Sequence, residues 1–176
     1  MSAALNLDQR PKSAEELAQY LHGVGLFADI KADPNAMSAL AQIMSEQRYA
    51  AGHNILIEGA EGGEMFILVS GQAAVWKRTP GGDEYKVAIL PGDKHIAFGE
   101  SGLVEGEQRS ATIRCETECV CLVLKRTDFE KFSLGNPPWA LGIYRRIATN
   151  VMARLRKTNN DMLLLYNALV AEIRGH

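Results

Sequence analysis

Residues 52–93 read GHNILIEGAEGGEMFILVSGQAAVWKRTPGGDEYKVAILPGD, short β-rich runs broken by glycine every few positions. Gly59, the pair Gly62 and Gly63, Gly71, the pair Gly81 and Gly82, and Gly92 each fall where a hairpin or bulge needs a permissive backbone. Several strands at such close, regular spacing predict an all-β barrel or sandwich.

Outward from this stretch the texture changes on both sides. Ser13 followed by Ala14, Glu15 and Glu16 reads as an N-cap with acids in the first turn, opening a helix through Leu21. LFADI (26–30) resembles another helical turn. In the run 33–49, Asp33 can cap, Pro34 suits the first helical position, and Met37, Leu40, Ala41, Ile43 and Met44 give an apolar face, so the first 50 residues are predicted helical. Strands are expected again from Ser110 to Leu124, then a short helix over Thr127–Phe132 ending near LGNPP.

From Trp139 to Arg174 one long helical pattern runs without proline. Val151, Leu155, Thr158, Met162, Leu165 and Leu169 step by three and four, a heptad-like seam. A homodimer through this helix is the simplest way to hide the stripe; the alternative is that it packs on its own barrel. Arg145, Arg146, Arg154, Arg156 and Lys157 make the helix basic, and a solvated face partly balancing acids elsewhere is the expectation for them.

The chain has 176 residues, 47% hydrophobic and 23% charged, with net charge −2. That length suits one domain, or one domain with an extension, and supports a core without disulfides or metals. The charge balance offers no positive field for nucleic acid or an acidic membrane. No 18-residue apolar run is present and MSAALNLDQRPKSAEE lacks the layout of a secretory signal, so a cytoplasmic location is expected. Cys115, Cys119 and Cys121 are expected as small buried apolar residues on one strand or two abutting ones. His22, His53, His95 and His176 lack metal-ligand spacing, His95 reading as a solvated loop residue, and no nucleophile is paired with a base. Neither a metal, a cofactor nor catalysis is expected.

Residues 98–113, FGESGLVEGEQRSATI, carry the chemistry. Taken alone, Glu100 and Arg109 could be a surface ion pair of little value. A ligand combining a ribose with a cyclic phosphodiester would use them separately. The planar guanidinium of Arg109 matches two phosphate oxygens and keeps its proton. Ser110 can add a hydroxyl hydrogen bond, and a short helix from Gly99 through Leu103 would turn backbone amides to the anion. Gly99 would let the sugar approach closely, while Glu100 would accept the 2′-hydroxyl proton and neutralise Arg109 in the empty site.

This segment resembles the phosphate-binding cassette of the cyclic nucleotide-binding domain family. The matching residues are Phe98, Gly99 and Glu100, then Arg109, Ser110, Ala111 and Thr112, with Gly52, Glu58, Gly59, Gly63 and Gly71 upstream and LPGD (90–93) ahead of the cassette. The similarity runs from about Leu26 to about Lys157. It implies a mainly β fold: a jelly-roll (double-stranded β-helix) barrel with N-terminal helices and a long C-terminal helix. The implied ligand-binding residues are Gly99, Glu100, Ser101, Arg109, Ser110 and Ala111 for phosphate and ribose. Thr158 and Asn159 stand where the catabolite-activator branch uses a Thr-Ser pair to contact adenine. Residue 110 is commonly alanine in cyclic AMP sites and threonine in many cyclic GMP sites; serine leaves the choice open, and Thr158 favours cyclic AMP. Two departures stand out: Lys94, His95, Ile96 and Ala97 occupy a place where the family usually has one residue, and Ser101–Gly102 replaces a pair that usually begins with leucine.

The expected organisation is a cyclic nucleotide-binding unit over 13–136 and a helix over 137–176 for dimerisation and output. Three functions are weighed: a cyclic nucleotide sensor acting on a separate protein effector, a transcription regulator, and a barrel with the fold but another use. Only 17 residues follow Asn159, so DNA binding is expected to need a partner or a longer parent chain.

Overall fold

The computed structural model describes residues 13–104 and 108–174. Helix α1 (Ala14–His22) begins with a reciprocal capping box: Ser13 Oγ accepts from the Glu16 amide at 3.2 Å, and Glu16 Oε2 accepts from the Ser13 amide at 2.7 Å. One 3₁₀ turn (Gly25–Phe27) leads to α2 (Pro34–Gln42), where Asp33 Oδ1 accepts from the Asn35 amide at 2.9 Å and Pro34 opens the helix. The apolar face of α2 ends at Ile43. Met44–Tyr49 then form strand β1, antiparallel to the last strand with Met44 opposite Leu124. The expectation of helix to residue 50 is therefore corrected: cross-strand pairing claims the polar run SEQRY, which carries no helical apolar stripe of its own.

The remaining strands are β2 (Asn54–Leu56), β3 (Glu64–Ser70), β4 (Gln72–Arg78), β5 (Glu84–Pro91), β6 (Ile96–Phe98), β7 (Thr112–Cys115) and β8 (Cys119–Lys125). They form two four-stranded sheets, β1-β8-β3-β6 and β2-β7-β4-β5, with every pairing antiparallel. This is the expected jelly-roll architecture, with helices before and after it.

The central strands of the first sheet, β3 and β8, are buried on both faces, which is why they read as nearly unbroken apolar runs. Met65, Ile67, Val69, Val120, Leu122 and Leu124 face the helices, while Phe66, Leu68, Cys119, Cys121 and Val123 face the second sheet. Each such aliphatic or aromatic side chain contributes about 1.5–3 kcal/mol on burial. The three cysteines are free and buried between the sheets, split over two strands. Desolvation pushes the Cys115 thiol up to about 12 and raises those of Cys119 and Cys121, the behaviour of inert core thiols.

Between Gly92 and Phe98 a second 3₁₀ turn (Gly92–Lys94) ends at His95 in the left-handed region, φ 45°. His95 is half-buried, its ring edge-on to Tyr20 at 5.4 Å, so the expectation of a solvated side chain is corrected. Within this connection His95, Ile96 and Ala97 are half-buried, while Lys94 is exposed.

After β6 comes one helical turn, α3 (Ser101–Val104); after β8 come α4 (Arg126–Gly135) and α5 (Pro137–Arg174). The base of α5 is anchored. Ala140, Ile143 and Ile147 are buried, Trp139 Nε1 donates to Asp33 Oδ2 at 3.0 Å, and Arg145 and Arg146 both donate to Asp29. Those hydrogen bonds hold the Asp29 carboxyl below the usual carboxylate range. Beyond Ile147 no described residue of α5 is buried, and Leu155, Met162, Leu165 and Leu169 are 50–73% exposed. The stripe does not pack on its own barrel. Among the described residues no helix is long and apolar enough to cross a membrane.

Candidate functional site

The backbone around Arg109 is pinned before its side chain is placed. Its amide donates to the Ala60 carbonyl and its carbonyl accepts from the Gly59 amide, both at 2.8 Å, while Glu61 and Gln108 form an isolated antiparallel bridge. Thr112, buried on β7, accepts from the Glu58 amide at 3.0 Å. The loop before β3 is thereby tied to the strand carrying the second half of the cassette.

The Arg109 side chain is only 4% exposed. Its Nη1 donates to the Gly99 carbonyl at 3.2 Å and its Nη2 to Glu64 Oε2 at 3.2 Å. Two glycines make room for the planar head: a Cβ at Gly62 would lie 2.5 Å from Nη2, and one at Gly102 would lie 2.7 Å from Nη1. Gly99 adopts φ 73°, which turns its carbonyl towards the guanidinium at little cost only for glycine. Burial pulls the Arg109 pKa below its ordinary value, and the Glu64 carboxylate offsets part of that shift. The result is a fixed cation with donors beyond the two already engaged.

Glu100 is buried, on the turn between β6 and α3. Its carboxylate accepts from Arg154 of α5, one of the basic residues expected to be solvated. The expected Glu100–Arg109 neutralisation is corrected: each has its own counter-ion, Glu64 for Arg109 and Arg154 for Glu100. The turn separates the two groups by sending one towards β3 and the other towards the helix. α3 amounts to one turn, with the amides of Gly102 and Leu103 satisfied by the carbonyls of Gly99 and Glu100.

The other expected residues are distributed around these two. Ser101 and Ser110 are exposed and Ala111 is half-buried. Thr158 and Asn159 are exposed on α5; Thr158 stands four residues beyond Arg154 and hence on the same helix face. Glu64, Gly62, Gly102 and Arg154 were missed by sequence reasoning. The four-residue step from Arg154 to Thr158 was the available signal for Arg154; none distinguished Glu64 from its neighbouring acids.

The family described as cyclic nucleotide-binding domain matches residues 46–136. A CRP-like cAMP-activated global transcriptional regulator of Mycobacterium tuberculosis is 26% identical over 145 residues, 82% of this chain and 61% of that protein. The chain thus spans less than two thirds of that relative's length. Glutaminase 2 of Bradyrhizobium diazoefficiens is 28% identical over 173 residues, 90% of this chain but 26% of the enzyme. Among solved structures, the N-terminal domain of a transcriptional regulator from Streptomyces coelicolor aligns at 29% identity with a TM-score of 0.66, covering 81% of this chain and 94% of that one.

Proposed function

Because this chain belongs to the cyclic nucleotide-binding domain family, we propose that it is a cytoplasmic sensor that binds cyclic AMP in preference to cyclic GMP, without a chemical step, and signals occupancy through α5. The observation that carries the reading is the hydrogen bond from Arg154 to Glu100, which joins the cassette to the projecting helix.

In this reading the cyclic phosphate is held by Arg109 and Ser110, with Gly99, Ser101 and Ala111 shaping the turn around it. A ligand phosphate competes with Glu64 for the guanidinium fork. The ribose 2′-hydroxyl donates to Glu100 and competes with Arg154. Thr158 and Asn159 meet the base from α5, threonine favouring adenine. Ligand binding therefore exchanges a contact between cassette and helix for contacts through the ligand, and the helix position shifts by the difference in affinity of its two arrangements. Residues 13–136 form the sensing unit and 137–176 the output helix, of which Gly175 and His176 lie outside the described residues. The uncovered stripe on α5 supports a homodimer along that helix, acting on a separate protein effector.

A second reading is favoured by the mycobacterial relative, which is described as a transcriptional regulator. There this chain would serve as the sensing part of a DNA-binding assembly, with nucleic acid contacted by a partner or by further sequence.

Calorimetric titration with cyclic AMP, cyclic GMP and linear 5′-AMP tests the proposal. Cyclic AMP should bind most tightly and 5′-AMP at least a hundredfold more weakly, since the dianionic linear phosphate cannot keep the ribose at Glu100. Failure of both cyclic nucleotides to bind would discard the sensor reading, and a gel shift against promoter DNA examines the second.

A further inference from the structure

We propose that the lengthened connection at Lys94–Ala97 builds a second binding pocket, separate from the cassette arginine, for a small organic monoanion with an apolar body. A cavity of about 360 Å³ lies between this connection, the 3₁₀ turn after α1, and α5. That volume falls at the small end of ligand sites. Arg109 is not part of its lining, although Glu100, on the other side of the same turn, is.

The pocket exists because of how the connection is folded. His95 takes a left-handed backbone, the one non-glycine residue with positive φ among the described residues. Its imidazole rests over Gly23, where a Cβ would lie 2.6 Å from Nδ1, so the N-terminal helices are shaped to receive it. This bend stands Lys94 and Ile96 off from the turn at Val24–Leu26 and leaves the space between them open.

The choice of ligand follows from the lining charges. Arg146 shares the Asp29 carboxylate with Arg145, and Glu100 is paired with Arg154. Asp93 is exposed and does not line the cavity. Among the described lining residues Lys94 is the one charged side chain outside any ion pair, with the Asn150 amide and the His95 ring as further polar groups. Ile96 and Ala97, with the edges of the nearly buried Val24 and Leu26, supply the apolar part of the lining. One cation beside an apolar wall suits one carboxylate on an apolar frame better than a dianionic phosphate, which would bring an uncompensated charge.

The test uses the full chain, ¹⁵N-labelled, titrated with sodium benzoate and with benzamide as its neutral isostere. Benzoate should give saturable amide shifts centred on Gly25, His95, Ile96 and Asn150, with benzamide at least tenfold weaker. Lys94→Ala, and Lys94→Gln as a variant that keeps the aliphatic stem, should each weaken benzoate at least tenfold. The inference is overturned if benzamide binds equally, if the lysine variants bind benzoate like the parent, if no saturable shift develops at millimolar concentrations, or if the shifts centre on Gly62, Gly102 and Arg109. None of these readouts depends on cyclic nucleotide binding, so this pocket and the sensor reading fail separately.

Discussion

Arg154, near the middle of α5, donates a hydrogen bond to the carboxylate of Glu100, a buried residue 54 positions earlier on the turn after β6. The contact ties the long C-terminal helix to the turn proposed to meet the sugar. Arg154→Ala removes the competitor for Glu100. Because the arginine is 63% exposed, the pair is discounted to about 1 kcal/mol or less. Cyclic AMP affinity should then rise about two- to fivefold by calorimetry, and spin labels on α5 should report a broader distance distribution in the unliganded protein. A tenfold loss of affinity would make Arg154 a ligand contact in its own right.

Arg109→Ala should abolish cyclic nucleotide binding while leaving the circular dichroism spectrum unchanged, since the Glu64 partner it abandons is 43% exposed and can be hydrated. Arg109→Lys keeps the charge but loses the fork, and should bind about a hundredfold more weakly than the parent. Parent-like calorimetry for the alanine variant would refute the phosphate assignment.

Gly62→Ala and Gly102→Ala should each lose at least tenfold in affinity, because the added methyl would sit within 2.7 Å of the guanidinium nitrogens and must displace them. Gly135→Ala, where a Cβ meets nothing within 4 Å, is the control: it should bind normally and melt at the same temperature or slightly higher. Equal behaviour of all three would remove the glycine cradle from the account of affinity.

Thr158→Ala should weaken cyclic AMP more than cyclic GMP, by about 1 kcal/mol for one lost hydrogen bond. Equal losses in parallel titrations would mean that α5 does not read the base.

Asp29 has its pKa lowered in the folded protein by Arg145 and Arg146. A carboxyl so depressed stabilises the fold fully above its unfolded pKa of about 4, and that contribution is lost as pH falls through the folded value. Melting temperature should therefore fall more steeply below pH 4 in the parent than in Asp29→Asn. Parallel melting curves across that range would show that the anchor at the base of α5 carries no such linkage.

The glycine-spaced strands and the cassette were legible because a few residue types with strict backbone or charge demands recur at fixed intervals: Gly71 at a tight turn, Gly99 at positive φ, Arg109 as a buried cation. β1 was not legible. Its paired positions on β8 lie 70 to 80 residues away, and its own residues carry no period-2 alternation of apolar and polar types. The counter-ions of the site were hidden for the same reason. Glu64 and Arg154 reach Arg109 and Glu100 across 45 and 54 positions, and a charge on a strand or helix face does not declare its partner. His95 was misread because a left-handed histidine has no sequence signature apart from the space that Gly23 leaves for it.

In the proposed sensor, the length of α5 would give small events at the cassette a large reach. Beyond Ile147 about 27 residues project, a rod of roughly 40 Å at 1.5 Å per residue. Pivoting by about 10° at that fulcrum would sweep the far tip through roughly 7 Å on the same geometry. A ligand no larger than a nucleotide could in this way present or withdraw a whole surface several nanometres from where it sits.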